Sequence, residues 1–208
     1  MTEKYKNKYR IPSARLQHWD YGWNASYFVT ICTHNHEHYF GGIVDDEMVL
    51  SDIGKIAWRF WVEIPNHFPF VILNVFVVMP NHLHGIIIID KTDDGRNDGN
   101  NMDSVTVETQ NTQTPVDMQN VETQNFASLQ QPVDQPQNKF GPQSQNLASI
   151  IGGYKTGVKK YATMNNINFT WQPRFHDHII RNNKSYITIQ EYIINNPAKW
   201  NDDTYNEK

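Results

Sequence analysis

Residues 75–89 read Val-Phe-Val-Val-Met-Pro-Asn-His-Leu-His-Gly-Ile-Ile-Ile-Ile. Pro80-Asn81 is a turn-like pair between two apolar, largely β-branched runs, Val71 to Met79 and Leu83 to Ile89, so the stretch predicts two strong strands joined tightly. Two imidazoles, His82 and His84, stand two positions apart at the start of the second run. In a strand, side chains at i and i+2 share a face, roughly 6.6 Å apart, and the residue between them points the other way. His82 and His84 therefore project together as a two-nitrogen pincer, while Leu83 enters the core. Burying two titratable rings is costly unless something binds them, which makes this pair a candidate metal site.

Histidines alternate twice more, at His34-Asn-His36-Glu-His38 and at His176-Asp-His178. There the intervening residues Asn35, Glu37 and Asp177 are polar and would be driven into the core if the histidines faced a site. The reading for His34 to His38 is a solvated strand end or turn. Only the pair around Leu83 agrees with a half-buried strand that has one wet face.

Outward from this hairpin the chain alternates β and α signals. Tyr27 to Cys32 is β-rich, and residues 38–50 read as a hairpin turning at Asp45-Asp46. Ser51 or Asp52 caps a helix with apolar residues at Ile53, Ile56, Ala57, Phe60, Trp61 and Ile64, until Pro65 stops it. Leu147, Ile150, Ile151, Tyr154, Val158 and Tyr161 form one apolar helical stripe, with Lys155, Lys159 and Lys160 off it. Phe175 to Ile180 reads as a further strand. A last helix, capped by Ser185 and ended by Pro197, has Tyr186, Ile187, Ile189, Ile193 and Ile194 on its expected buried side. This order predicts an α+β sandwich: an antiparallel sheet, helices mainly on one face, and the other face free for a ligand.

On the last helix Tyr192 and Asn196 fall together at the edge of the buried side, one turn and roughly 5–6 Å apart. The pattern alone is that of an amphipathic packing tyrosine. Pro197 disfavours helical backbone at Asn196, so this turn is expected to fray.

Composition bounds the rest. The chain has 208 residues, a net charge of −4 and one cysteine, Cys32, which excludes an intrachain disulfide and suits a reducing cytoplasm. No apolar run has transmembrane length, and no charged-then-apolar amino terminus is present, so neither export nor a membrane partner is expected. From about 91 to 145 the chain is rich in Asn, Gln, Asp, Thr and Pro and should be disordered. Within it Val107-Glu-Thr-Gln-Asn111 recurs at 121–125, and Asn125-Phe-Ala-Ser-Leu129 is echoed by Asn146-Leu-Ala-Ser-Ile150. We read a single domain, 1–208, carrying this insertion. Residues 90–140 hold 9 acidic and 3 basic side chains, so the remainder is slightly basic. Its cations cluster at Lys4, Lys6, Lys8, Arg10 and Arg15, and at Lys155, Lys159, Lys160, Arg174, Arg181, Lys184 and Lys199, as phosphate contacts require.

Five blocks occur in order: Tyr27-Phe-Val-Thr-Ile-Cys-Thr33, Met79-Pro-Asn-His-Leu-His-Gly85, Ile150-Ile-Gly-Gly-Tyr-Lys155, Trp171-Gln-Pro-Arg-Phe-His-Asp-His178 and Tyr192-Ile-Ile-Asn-Asn-Pro197. This set resembles the single-tyrosine HUH transposases of small insertion sequences, most closely the REP-associated tyrosine transposases, over roughly residues 10–90 and 146–200. The resemblance implies a ferredoxin-like (RRM-like) nuclease fold that binds and cleaves single-stranded DNA beside a hairpin, as a monomer or homodimer. It makes His82 and His84 ligands of a divalent ion, Mg²⁺ or Mn²⁺, Tyr192 the nucleophile that forms a 5′-phosphotyrosine, and Asn196 a third ligand. Lys155, Lys159, Trp171, Arg174, Phe175 and Arg181 are the candidate DNA contacts, by stacking and phosphate pairing. Imidazole plus amide is softer than an all-oxygen site, so Mn²⁺ is expected to outperform Mg²⁺. The rival readings are a non-catalytic single-stranded nucleic-acid-binding module, a domesticated transposase, and a metal-dependent phosphoesterase that uses water.

Overall fold

The computed structural model describes residues 4, 5, 8, 9, 16, 19–91 and 144–206. A short ladder of β1 (Lys4–Tyr5) and β2 (Lys8–Tyr9) precedes the main sheet. That sheet is built from β3 (Ala25–Cys32), β6 (Val71–Val78), β7 (His82–Ile89) and β8 (His176–Ile180), in the order β6-β7-β3-β8, every neighbour antiparallel.

Alternation in the strands decides which face each residue serves. Tyr27, Val29 and Ile31 of β3 and Leu83, Ile87 and Ile89 of β7 are fully buried on one face. There they meet α1 (Asp52–Val62) and α3 (Leu147–Met164). Strand, helix, strand, strand, helix, strand, with β3 lying between β7 and β8, is the split β-α-β arrangement.

Local chemistry sets the boundaries. Ser51 Oγ accepts from Gly54 N at 3.1 Å and starts α1, while Pro65 sits in the short α2 (Ile64–His67) just beyond its end. The hairpin of β4 (Gly41–Val44) and β5 (Glu47–Leu50) turns where expected, with Asp45 and Asp46 at φ 50° and 63°, the left-handed pair that matches strand twist. Gly85 leaves room for an indole: a Cβ there would lie 2.5 Å from Trp61 Cζ2. Trp61 therefore presses on the sheet directly behind the histidine pair.

The opposite face is not left open. Helix α4 (Asn183–Asn195) crosses it, packing Tyr186, Ile189 and Ile193 against Ile86, Ile180 and Phe28. Two expectations for α4 are corrected. Asn182, not Ser185, is its cap, accepting from Ser185 N at 2.8 Å. Ile187 and Ile194 are 41% and 51% exposed, because the contact stripe follows 186, 189, 193 and 196 and leaves them well off it.

The predicted insertion lies outside the described residues except at its ends. Those ends meet, since Lys91 Nζ donates to Gly22 O at 2.7 Å and to Gln145 O at 2.9 Å. Asn146 then caps α3 reciprocally with Ser149. Among the described residues no helix is long and apolar enough to cross a membrane.

Candidate active site

Strand register places the two imidazoles. His84 pairs with Thr30 and His82 with Cys32 across β7 and β3, on the face beneath α4. The rings are 4.4 Å apart between centroids, and the residues are 1% and 0% exposed. Each Nδ1 has a partner at 2.8 Å: Thr30 Oγ1 for His84 and Asn81 Oδ1 for His82. The remaining nitrogens turn to the centre of the site. His84 Nε2 lies 3.0 Å from the Tyr192 hydroxyl, whereas His82 Nε2 is buried with no hydrogen-bond partner. Phe28 stacks on His84 and meets Tyr192 edge-on, wedging both rings in place.

Helix α4 delivers Tyr192 and Asn196 together. Asn196 keeps helical backbone (φ −61°, ψ −42°) despite Pro197, so the expected fraying does not occur. Its side chain is buried, Nδ2 donating to Asp203 Oδ2 at 3.0 Å and Oδ1 lacking a partner.

A short 3-10 helix, Pro197–Asp202, then reverses the chain over the histidines. One ligand atom each from His82, His84 and Asp203 lie within 4.8 Å of one another. The Tyr205 ring covers His82 at 4.6 Å and stacks on His36 at 5.7 Å. Asp203 and Tyr205 are absent from the sequence reading, as are Asn81 and Thr30 in their roles as imidazole partners. Asn81 and Thr30 stand inside matched blocks and are the signal that was there to find; Asp203 and Tyr205 lie beyond the last block and carry none.

Burial governs the titration of the site. It pulls the His82 pKa down to about 3, helped by repulsion from His36. Burial also holds His84 well below the ordinary range, with repulsion from His82 and His176 adding to it and Asp203 opposing. Both rings are neutral at neutral pH, the form that ligates metal. Tyr192 is pushed up to about 12 by burial and then by Asp203 and Tyr205, against a hydrogen bond with Asn196. Unaided, this phenol stays protonated at neutral pH.

The other histidine groups sort partly as predicted. His34–His36 is a short 3-10 turn with Asn35 and His36 at φ 52° and 54°, yet His36 is half-buried against Tyr205 rather than solvated. His176 and His178 do face the same side as Thr30 and Phe28, their register partners. The expectation failed because β8 is an edge strand, where the intervening Asp177 is only half-buried.

The candidate DNA contacts are divided. Trp171 is core, 8% exposed, its Nε1 donating to Lys155 O at 3.0 Å and its ring packed on Phe40, Tyr154 and Phe169. Phe175 is half-buried against the same core. Lys155 Nζ donates to Gln172 O and Arg174 O at 2.7 and 2.8 Å, and Lys159 Nζ donates to Phe169 O. These ammonium groups brace the 169–174 loop. Arg174, at φ 67°, and Arg181 are exposed, and Lys160 lines an open groove with Lys155, Thr156, Lys159 and Trp171.

No family model matches the chain. An uncharacterized protein of Haemophilus influenzae is 36% identical over 205 residues, covering 98% of this chain and 97% of its own length. The chain belongs to that protein's family. Among solved structures, a REP-associated tyrosine transposase bound to a REP hairpin superposes with a TM-score of 0.51 at 17% identity, over 91% of this chain and 74% of its own. The fold is thus that of a REP-associated tyrosine transposase, the family that the five sequence blocks resemble. A putative transposase from Deinococcus radiodurans covers 89% of this chain and 96% of its own at a TM-score of 0.38 and 8% identity.

Proposed function

We propose that this family member is a transposase-like HUH nuclease that cleaves and rejoins single-stranded DNA beside a hairpin, with Tyr192 as nucleophile. One observation carries the reading: the Tyr192 hydroxyl lies 3.0 Å from His84 Nε2, beside the buried, unpartnered Nε2 of His82. A lone pair buried without a partner costs roughly 1–3 kcal/mol, a penalty that a bound cation removes.

The donor set fits a divalent ion, Mg²⁺ or Mn²⁺. His82 and His84 would hold it, with Asp203 or the free Asn196 Oδ1 as the third ligand. When bound, such an ion neutralises charge developing on a phosphate oxygen and favours the phenolate. The chain's own residues do the rest. Thr30 and Asn81 orient the imidazoles, Phe28 wedges His84 and Tyr192, and α4 fixes the phenol one turn from Asn196. In cleavage the Tyr192 oxygen–phosphorus bond forms as the bond from phosphorus to the 3′-oxygen breaks. The phenolic proton is balanced by the one gained at the departing 3′-hydroxyl. A 5′-phosphotyrosine results, and a second 3′-hydroxyl can reverse the step without ATP.

Tyr192 meets histidines of its own chain, so we take one copy as the unit of cleavage. Because the Tyr205 ring covers His82, a phosphate approaching that imidazole has to displace this ring, with Asp203 staying at the histidines. Among the described residues, exposed Lys160, Arg174, Arg181, Lys184 and Lys199 are cations available to backbone phosphates, and a DNA substrate places the protein in the cytoplasm.

The rival is a nucleic-acid-binding module without chemistry, and the intact constellation argues against it. Incubating labelled single-stranded hairpin DNA with Mn²⁺ should yield a protein–DNA adduct that survives denaturing electrophoresis. Tyr192→Phe should abolish the adduct and leave hairpin binding nearly intact. Binding without adduct in the wild type would establish the module, and an adduct in the variant would displace Tyr192.

A further inference from the structure

Asn81 lies wholly buried in the turn between β6 and β7, immediately before His82, and both ends of its amide are engaged. Nδ2 donates to His36 O at 3.1 Å and to Tyr205 O at 2.7 Å, and Oδ1 lies 2.8 Å from His82 Nδ1. Two carbonyls at the nitrogen end leave the amide one orientation, because the flipped form would set oxygen against two acceptors. The amide oxygen therefore faces the imidazole, and His82 Nδ1 must carry the proton. Nε2 is then a bare lone pair, and it is one of the buried polar atoms that lack a partner among the described residues. His84 differs, since the Thr30 hydroxyl at its Nδ1 can donate or accept and does not by itself select a tautomer.

We propose that Asn81 is a positioning residue: it locks His82 in the Nδ1–H tautomer that presents Nε2 to a cation, and the same amide couples this lock to the docked C-terminal segment through the Tyr205 carbonyl. The proposal rests on the metal-binding reading above. An uncharged acceptor suits this fully buried position, where a carboxylate would add uncompensated charge. It also explains why a polar side chain is sealed in a turn where an apolar one would pack. Partners of this kind set the tautomer of a metal-ligating histidine, and their loss typically weakens metal binding about 10–100-fold.

Two substitutions separate the functions of the amide. Asn81→Asp keeps an acceptor for His82 Nδ1–H but loses the donor to His36 and Tyr205; Asn81→Ala loses both. Two readouts are needed on metal-free and titrated protein: the His82 tautomer from two-bond ¹⁵N–¹H correlation spectra, and Mn²⁺ affinity from the paramagnetic resonance of free Mn²⁺. Wild type should show Nδ1–H. Asn81→Ala should lose that preference and bind Mn²⁺ about 10–100-fold more weakly, whereas Asn81→Asp should keep the tautomer and bind more tightly than Asn81→Ala. Both variants should exchange the amides of residues 203–206 faster than wild type.

An Nε2–H tautomer in wild type overturns the proposal, and that measurement needs no variant to fold. So does an Asn81→Ala protein with wild-type tautomer and affinity. Wild type that shows Nδ1–H but takes up no Mn²⁺ instead overturns the metal reading on which the proposal stands.

Discussion

Acidifying the metal-free protein should destabilise it through His82 in particular. An imidazole in the unfolded chain titrates near 6.5, whereas burial and His36 hold the folded His82 at about 3. Between those values the unfolded state takes up a proton that the folded state refuses. The contribution of His82 is therefore complete above about pH 6.5 and is lost as the pH falls toward 3. From roughly pH 7 to pH 5 the loss comes to about 2 kcal/mol for this one group. His84, shifted in the same direction, adds to it. Urea unfolding with a chelator present, at several pH values, measures the effect. The comparison is with His82→Gln, which keeps every other group, retains a donor for Asn81 Oδ1 and has no proton to gain. Its stability should fall by about 2 kcal/mol less than that of wild type over this interval. Parallel curves for the two proteins would show that His82 is not held neutral by burial, and the account of the site would fail.

Three further outcomes are expected. Adduct formation should be faster with Mn²⁺ than with Mg²⁺, because two imidazoles make the donor set softer than an all-oxygen site; equal or better turnover with Mg²⁺ counts against these ligands. Gly85→Ala drives a methyl to 2.5 Å from Trp61 Cζ2. It should cost about 1–3 kcal/mol and lower Tm by roughly 2–12 °C in a thermal melt, and an unchanged Tm would mean that the indole is free to shift. Asp203→Ala should weaken Mn²⁺ binding more than Asn196→Ala does by calorimetric titration, and the reverse order would give the third ligand position to Asn196.

Much of this architecture was legible in local sequence. Leu83 between two histidines gave the facing of β7, Asp45-Asp46 gave the hairpin, Ser51 and Pro65 bounded α1, and Tyr192 with Asn196 gave a pair one turn apart. Each of these rests on a period of two or 3.6 residues or on a single cap or turn, interactions that residues close in the chain make with one another. Packing adds what residue type leaves open. Trp171 is core in this structure, and the Lys155 and Lys159 ammonium groups bond to carbonyls of the 169–174 loop. Residue type announces what a side chain is able to do, and burial selects which of those things it does.

By itself, then, the sequence determined the main strands and helices and the shared facing of the histidine pair, because periodicity and turn preference are short-range properties. Only the tertiary structure decided what surrounds that pair. The reversal after Pro197 sets Asp203 among the imidazoles, and one buried amide joins residues 36, 82 and 205. Contacts between residues 45 and 124 positions apart follow from the packing of whole elements and leave no local signal.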